Sequence, residues 1–415
     1  MKGNLPTEPY KGVRDFYPRD MFIERYIFDT MSRVVESFGY QEYGASILES
    51  GDLYRSKSSE EIVSEQTYTF TDRGEREVTL RPEMTPTLAR MVAGKRQELP
   101  FPLRWYSIPN VFRYERPQRG RMREHWQLNA DLFGVEGVDA EAEIILLAHN
   151  LMKAFGADEG DFEIRINDRE ILSSLFTQHS ISEGEQSQVM RLLDKKEKID
   201  DFNTQLTAIL GDRAESFDTA LSQTSSSPHL ESLLKKLAAL GVANATVNTS
   251  VVRGFQYYTG IVFEVFDASP ENNRSLFGGG RYDNLLEVFG VEKTPAVGFG
   301  MGDITIRDFL ETHELLPEYT SRTDLYLCTL SPEAAEFAQK FAAQLRAEDI
   351  NVEVSLSQKK VGDQIKVADK KEIPFVIVIG EEEIISDSVA VKHLESGEQE
   401  TVKKDAVADF IFSKI

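Results

Sequence analysis

The sequence predicts an α+β protein: an antiparallel sheet divided by a helical insertion, followed by a separate α/β module. Three observations carry this expectation. Alternating apolar and polar residues bounded by turn residues recur through 67–134 and return through 245–302. Between them, residues 170–240 are helix-like, rich in Leu, Ser, Gln and charge, with no Gly-rich loop or aromatic strand. The final stretch, 324–415, alternates strand and helix patterns. The expected domains are therefore 1–169 with 241–315, then 170–240, then 324–415, with ETHELLPEYTSRT (311–323) as the linker.

The elements follow in order. Phe22, Ile23, Tyr26, Ile27, Met31, Val34, Val35 and Phe38 recur at helical steps over 21–38, with Asp20 as N-cap and Gly39 as stop. TYTFTDRGEREVTL (67–80) reads as a hairpin turning at Asp72-Arg73-Gly74. LRWYSIPNVFRYERP (103–117) and WQLNADLFG (126–134) read as further strands, then a helix from about 140 to 155 and a strand at 162–168. SQTSSSPH (222–229) interrupts the helical region. In the tail, strands are expected at 324–330, 351–357, FVIVIG (375–380) and SVAVKHL (388–394). Helices are expected at 332–348, 361–372 and near 402–413, making a mostly parallel sheet.

Composition bounds the function. The 415 residues are 41% hydrophobic, enough for packed cores. Asp and Glu exceed Lys and Arg by 69 to 47, a net charge of −22. Such a chain is not a generic polyanion binder, so nucleic acid could dock only at a locally basic patch. Cys328, the single cysteine, can form no intramolecular disulfide and no cysteine-based zinc site. Six scattered histidines with no H-E-x-x-H pair lead us to expect no protein-held metal. A cytoplasmic location is expected: the N-terminal residues have no apolar core, and no apolar run approaches the ~18 residues of a membrane span.

Chemistry concentrates in a few segments. FRYERPQRGRMRE (112–124) places Arg113, Arg116, Arg119, Arg121 and Arg123 within eleven residues, with Pro117 and Gly120 making a loop. Arginine grips phosphate through a planar fork and stays charged. A strand ending in this loop suits a triphosphate or an RNA backbone; a solvated basic turn is the alternative. LRPEMTPTLAR (80–90) stiffens the backbone around Glu83 and Thr85 with Pro82 and Pro86. A carboxylate fixed there can hold an ammonium group, or simply cap the following helix. VVRGFQYYTGIVFE (251–264) sets Arg253 in an apolar and aromatic run, where it needs a ligand or a carboxylate partner. Tyr257 and Tyr258 could offer hydroxyls to a substrate or pack in the core. GGGRYD (278–283) and AVGFGMGD (296–303) let backbone approach a ligand, though neither is a known phosphate-loop pattern.

Taken in order, these segments resemble those of the histidyl-tRNA synthetases, a family of class II aminoacyl-tRNA synthetases. The resemblance covers nearly the whole chain. KGVRDFYP (11–18) is similar to the family's N-terminal signature, and FRYERPQRGRMREHWQLNADLFG (112–134) resembles motif 2. RGFQYYTGIVFE and LFGGGRYDNL resemble the two histidine-enzyme signatures, and AVGFGMGD stands where motif 3 belongs. The resemblance implies an antiparallel-sheet class II synthetase catalytic domain with a helical insertion, and a C-terminal α/β anticodon-binding domain. It implies ATP with Mg2+ as co-substrate, L-histidine and tRNA(His) as partners, a homodimer, and no membrane.

It also implies roles. Glu83 and Thr85, with Gln127, would hold the histidine amino group, and Met84 falls in the same stretch. Asp131 and Tyr258 would read the imidazole, with Tyr257 beside them. Arg113 would bridge the histidine carboxylate and the α-phosphate, which Arg253 would stabilise; these two would be catalytic. Glu115 would contact adenine, Arg121 the distal phosphates, and Gly300 the nucleotide. Gln118, Arg119 and Arg123 on the loop, and Lys359, Lys360, Gln364 and Lys366 in the tail, would face tRNA; the lysines could equally be a solvated helix face.

Three positions depart from the family pattern. Ser46 stands where motif 1 carries proline; Thr305 stands where motif 3 carries arginine, with Arg307 two residues on; and Asp131 replaces a frequent glutamate. The rival reading is a synthetase-like regulatory subunit of the first enzyme of histidine biosynthesis, which would sense histidine. Such subunits resemble the synthetases without the anticodon module and with an eroded motif 2. Here the motif 2 arginines and an α/β tail are both present.

Overall fold

The computed structural model describes residues 4–55, 66–193, 196, 199–223, 226–251, 257–272, 274–357 and 359–414. The chain opens with helix α1 (Pro18–Ser37), whose Ile27, Met31, Val34 and Val35 are buried. It starts earlier than expected. Tyr17 is its N-cap and Pro18 takes the first position, where a missing N–H leaves nothing unsatisfied; Asp20 lies in the first turn instead. Gly39 follows the helix at φ 81°, a backbone angle that favours glycine.

Strand β1 (Gln41–Glu42), β2 (Leu48–Ser50), helix α2 (Gly51–Arg55), β3 (Tyr68–Thr71) and β4 (Glu77–Leu80) come next. The β3–β4 hairpin turns where expected: Asp72 Oδ1 accepts from Gly74 N and Arg76 N at 2.8 and 2.9 Å. Then follow α3 (Thr85–Gly94), β5 (Leu103–Ser107), β6 (Asn110–Phe112), β7 (Glu124–Phe133), α4 (Val138–Ala154) and β8 (Phe162–Asp168). The helical stretch is α5 (Arg169–Gln178), α6 (Glu183–Leu193), α7 (Phe202–Leu210), α8 (Ala214–Gln223) and α9 (Pro228–Ala239). The chain returns through β9 (Ala245–Val247), β10 (Ile261–Asp267), β11 (Ser275–Arg281), β12 (Ala296–Gly302) and α10 (Asp303–Thr312).

The main sheet runs β1-β5-β7-β12-β11-β10-β8-β9, with β6 beside β7. Its interior is antiparallel, as expected, but β1–β5 and β8–β9 at the two edges are parallel. Parallel neighbours need a long crossover. For β8 and β9 that crossover is the helical stretch itself, so α5–α9 are what return the chain in the same direction. Leu128, Ala130 and Leu132 of β7 join α1 and α4 in one large core. A second cluster, including Leu88, Val92, Phe133, Tyr257, Tyr258, Val262 and Tyr282, packs α3 against the sheet. The intervening positions of β7 are thereby left for a cleft.

Internal contacts divide the chain into 1–317 and 318–415. The second unit contains β13 (Leu325–Thr329), α11 (Pro332–Ala347), β14 (Val352–Val354), α12 (Val361–Lys370), β15 (Phe375–Ile379), α13 (Glu381–Ile385), β16 (Ser388–His393), β17 (Gln399–Lys403) and α14 (Val407–Phe412). Its sheet order is β14-β13-β15-β16-β17. Only β14, β13 and β15 are parallel; β16 and β17 add an antiparallel hairpin. This corrects the expected closing helix near 402–413. Residues 399–403 pair with 388–392, so the helix begins only at Val407. No helix among the described residues is long and apolar enough to cross a membrane.

Candidate active site

The cleft follows from two strands in register. On β7, Gln127, Asn129 and Asp131 share one face. Opposite them on β12 stand Gly302, Gly300 and Gly298. A Cβ at Gly298 would strike the Asp131 carboxylate, and one at Gly300 the Gln127 amide. At Gly280 on β11 it would lie 2.7 Å from the Ile261 carbonyl oxygen. Glycine is needed because long polar side chains already occupy the space above the strand. The cleft is walled also by Glu83, Thr85, Arg113, Tyr257, Tyr258, Tyr282 and Phe299.

Asp131 is the floor's chemical centre. It is 3% exposed, and the Tyr282 hydroxyl donates to its Oδ1. Its Oδ2 is buried with no partner, as is Gln127 Oε1. Buried acceptors are normally satisfied, so these two await a donor from a ligand. Burial raises the Asp131 carboxyl to about 7, against the lowering effect of the Tyr282 bond. Burial and the neighbouring Asp131 charge push the Tyr282 phenol well above its usual range, so it remains a donor.

The aromatic wall is contiguous. Tyr257 packs on Tyr258 with ring centroids 4.8 Å apart and edge-on to Tyr282 at 5.8 Å. Tyr257 also donates to Glu83 Oε2 at 3.4 Å, and Tyr54 donates to the Glu83 carbonyl at 3.3 Å. Helix α3 has no side-chain cap, so Glu83 does not cap it; it is buried and faces the cleft. Met84 occupies the N-cap position, wholly buried and outside the cleft lining.

The mouth is cationic. Arg113 donates from Nε to the Pro82 carbonyl at 2.8 Å, which holds its guanidinium at the cleft. His125 lies two residues before Gln127; burial, then the charges of Arg113 and Arg14, lower it to about 3, so it is neutral at physiological pH. Arg14 bonds Asp303 at the start of α10, and Asp303 Oδ1 accepts from Trp126 N at 3.0 Å. In the arginine-rich loop, Gln118 and Arg121 exchange backbone bonds of 3.1 and 2.9 Å around Gly120, which has φ 73°. Arg121 reaches Glu115 at 3.4 Å and Arg119 reaches Asp308 at 3.8 Å.

Several expected residues are placed differently. Arg123 is 8% exposed, bonded to Tyr10 Oη, the Lys11 carbonyl and the Glu115 carbonyl, with its guanidinium 4.0 Å from the Tyr114 ring centre. It anchors the base of the loop rather than facing solvent. Gln364 is 1% exposed; its amide donates to the Thr329 and Lys359 carbonyls and accepts from Thr329 N. It braces the turn before α12, while Lys359, Lys360 and Lys366 around it are not buried. Thr305 donates to the Leu276 and Gly302 carbonyls, and Arg307 is paired with Asp20 and Glu311. Ser46 accepts from Leu48 N at 3.2 Å. Arg253 lies outside the described residues.

The sequence reading passed over Tyr282, Asn129 and Tyr54. Asn129 was within reach, since it shares the face of Gln127 and Asp131. Tyr282 ends the GGGRYD run, but nothing local marks it as Asp131's partner 151 positions away. One group of potential metal ligands occurs among the described residues: Asp168, Glu170 and His229, with ligand atoms within 4.8 Å of one another. Asp168 there already caps α5 and accepts from Ser227.

Comparison with known proteins gives a consistent result. The family profile of histidyl-tRNA synthetase matches residues 12–303, and that of an anticodon binding domain matches 324–414. The chain is 44% identical to a histidine–tRNA ligase of Leptospira biflexa, over 96% of this chain and 95% of that one. It is 39% identical to the histidine–tRNA ligase of Natronomonas pharaonis, over 94% and 95%. Among solved structures, apo histidyl-tRNA synthetase of S. aureus superposes with a TM-score of 0.75 at 25% identity, covering 98% of this chain and all of that one. The histidyl-tRNA synthetase of a Nostoc species shares the fold with a TM-score of 0.83 at 24% identity, over 99% and 100%.

Proposed function

Because the chain belongs to the histidyl-tRNA synthetase family, we propose that this cleft joins L-histidine to ATP and that the chain then charges tRNA(His). The observation that carries the reading is the unpartnered Asp131 Oδ2 at the floor of a tyrosine-walled cleft. A neutral imidazole brings one N–H donor and one acceptor nitrogen. Asp131 can take the donor, and Tyr258 stands in the same wall to meet the other nitrogen. Glu83, Thr85 and Gln127 would surround the ammonium group, with the Gln127 Oε1 acceptor unpartnered.

The chemistry is an adenylyl transfer followed by an acyl transfer. A histidine carboxylate oxygen attacks the α-phosphorus of ATP, and pyrophosphate leaves. The hydroxyl of the tRNA 3′-terminal adenosine then attacks the histidyl carbonyl, and AMP leaves. Arg113, held by the Pro82 carbonyl at the cleft wall, would bridge the carboxylate and the α-phosphate, and Arg253 is proposed as the second cation on that phosphate. Fixed positive groups in a half-closed cleft stabilise the charge that develops there. Mg2+ enters with ATP as part of the co-substrate. A homodimer in the cytoplasm, with Glu115 on adenine, Gly300 beneath the nucleotide and 324–415 reading tRNA, completes the proposal.

Pyrophosphate exchange into ATP tests it. Exchange should require histidine and ignore the other amino acids; a folded protein without it would sink the reading and favour the histidine-sensing alternative. The matched anticodon-binding domain and the intact arginine loop support the synthetase over the sensor.

A further inference from the structure

The cations in and beside the arginine-rich loop are unequally engaged. Arg121 has Glu115 and Arg119 has Asp308 as carboxylate partners. Arg274, immediately before β11, is exposed and forms no ion pair with the described residues. Its hydrogen bond runs from Nη1 to the backbone carbonyl of Arg119, 3.0 Å away. An unpaired guanidinium touching an arginine-rich loop is unexpected in a protein of net charge −22.

Its position follows from the strands that form the floor. Gly278 of β11 stands opposite Gly300 of β12, so the glycine-floored strand leads back to Arg274 at its open end. Thr305 donates to the Leu276 carbonyl, which ties the first turn of α10 to the same end of β11. Gly120 at the loop's tip faces that corner: a Cβ there would lie 3.7 Å from Asp308 Oδ2 and 3.9 Å from Thr305 Cγ2. Thr305 and Arg307 are both committed elsewhere, to backbone carbonyls and to Asp20 and Glu311. Arg274 adds a further cation to this corner: it feels the Asp308 carboxylate, which lies closer to Arg119, but makes no ion pair of its own with the described residues.

We propose that Arg274 binds the β- and γ-phosphates of ATP, beside Arg121, and supplies the positive charge that Thr305 and Arg307 do not. This rests on the reading of the cleft as an ATP site. Its hydrogen bond to the Arg119 carbonyl uses one donor of the guanidinium and leaves others for phosphate oxygens, which bind arginine bidentately.

The test compares Arg274→Ala and Arg274→Lys with wild type, each checked for an unchanged melting temperature. ATP and AMP affinities are measured by calorimetry, and KM values by histidine-dependent pyrophosphate exchange. Arg274→Ala should weaken ATP by about tenfold, as the loss of one charge-assisted hydrogen bond implies, with lysine recovering part of it. AMP affinity and histidine KM should stay within about twofold. Equal losses for ATP and AMP would overturn the proposal and leave Arg274 as a loop clasp; unchanged ATP affinity would overturn it outright. Absent exchange in wild type would instead remove the underlying reading, and the ATP-against-AMP comparison would still decide whether Arg274 recognises the distal phosphates.

Discussion

Replacing Asp131 by asparagine isolates one charge without changing shape. In the free protein the carboxyl titrates near 7 because burial opposes its ionisation. Its folded value is raised above that of the unfolded chain, so the proton is retained from low pH up to about 7 and the carboxylate appears only above it. About one tenth is ionised at pH 6 and about nine tenths at pH 8. If the carboxylate accepts the imidazole N–H, histidine KM should fall about tenfold from pH 6 to 8 for this reason alone. The substrate's own imidazole, with a pKa near 6.5, adds about fourfold in the same direction if it binds neutral. Asp131→Asn keeps only the smaller, substrate-borne part. At pH 8 it should also raise histidine KM by about 10- to 100-fold, since a charge-assisted hydrogen bond contributes about 1.5–3 kcal/mol. The assay is pyrophosphate exchange at saturating ATP, run across pH 6–8 on both proteins. An unchanged KM with the wild-type pH profile in the variant would refute the imidazole role.

Tyr282→Phe removes the bond that lowers the Asp131 carboxyl, so the pH step in histidine KM should move upward from about 7, measured by the same exchange assay. Gly300→Ala places a methyl group in the Gln127 amide and should raise histidine KM by at least about tenfold with circular dichroism unchanged. Arg281→Met leaves Glu141 buried without its paired guanidinium, now 2.5 and 2.7 Å away, and should cost about 3–5 kcal/mol by urea unfolding. Adding Glu141→Leu should recover much of that loss. Removing residues 324–415 should spare pyrophosphate exchange while impairing tRNA charging; equal loss of both would mean the tail is needed for folding.

Much of this was legible because local rules governed it. Period-two alternation located β3, β4, β7 and β8, and Gly39 marked the end of α1. Glu83 and Tyr258 lay in segments that the residues alone left open between a ligand and a structural role, whereas Gln127 and Asp131 were singled out by the family resemblance. What escaped was set by distant pairing. Nothing in ATV at 245–247 shows that it lies parallel to β8, since that partner is settled only after the helices between them fold. The β16–β17 hairpin was missed because QETVK reads as readily as helix, and pairing with SVAVKH decides it. Arg123 and Gln364 carry residue types that suit an exposed, RNA-facing surface, but each is buried among carbonyls that another segment presents.

The glycine floor bears on how this pocket can change by descent. A side chain can drift through intermediates of graded size, but a strand whose first added carbon meets a neighbour's functional group has no such path. Gly298 and Gly300 therefore tie their own identity to those of Asp131 and Gln127: neither glycine can gain a side chain before the residue it would strike becomes smaller. New substrate preferences would have to arise in the walls, at positions such as Tyr257, Thr85 or Tyr282, where smaller or less polar residues open space without collision. The floor would record ancestry, and the walls would record selection.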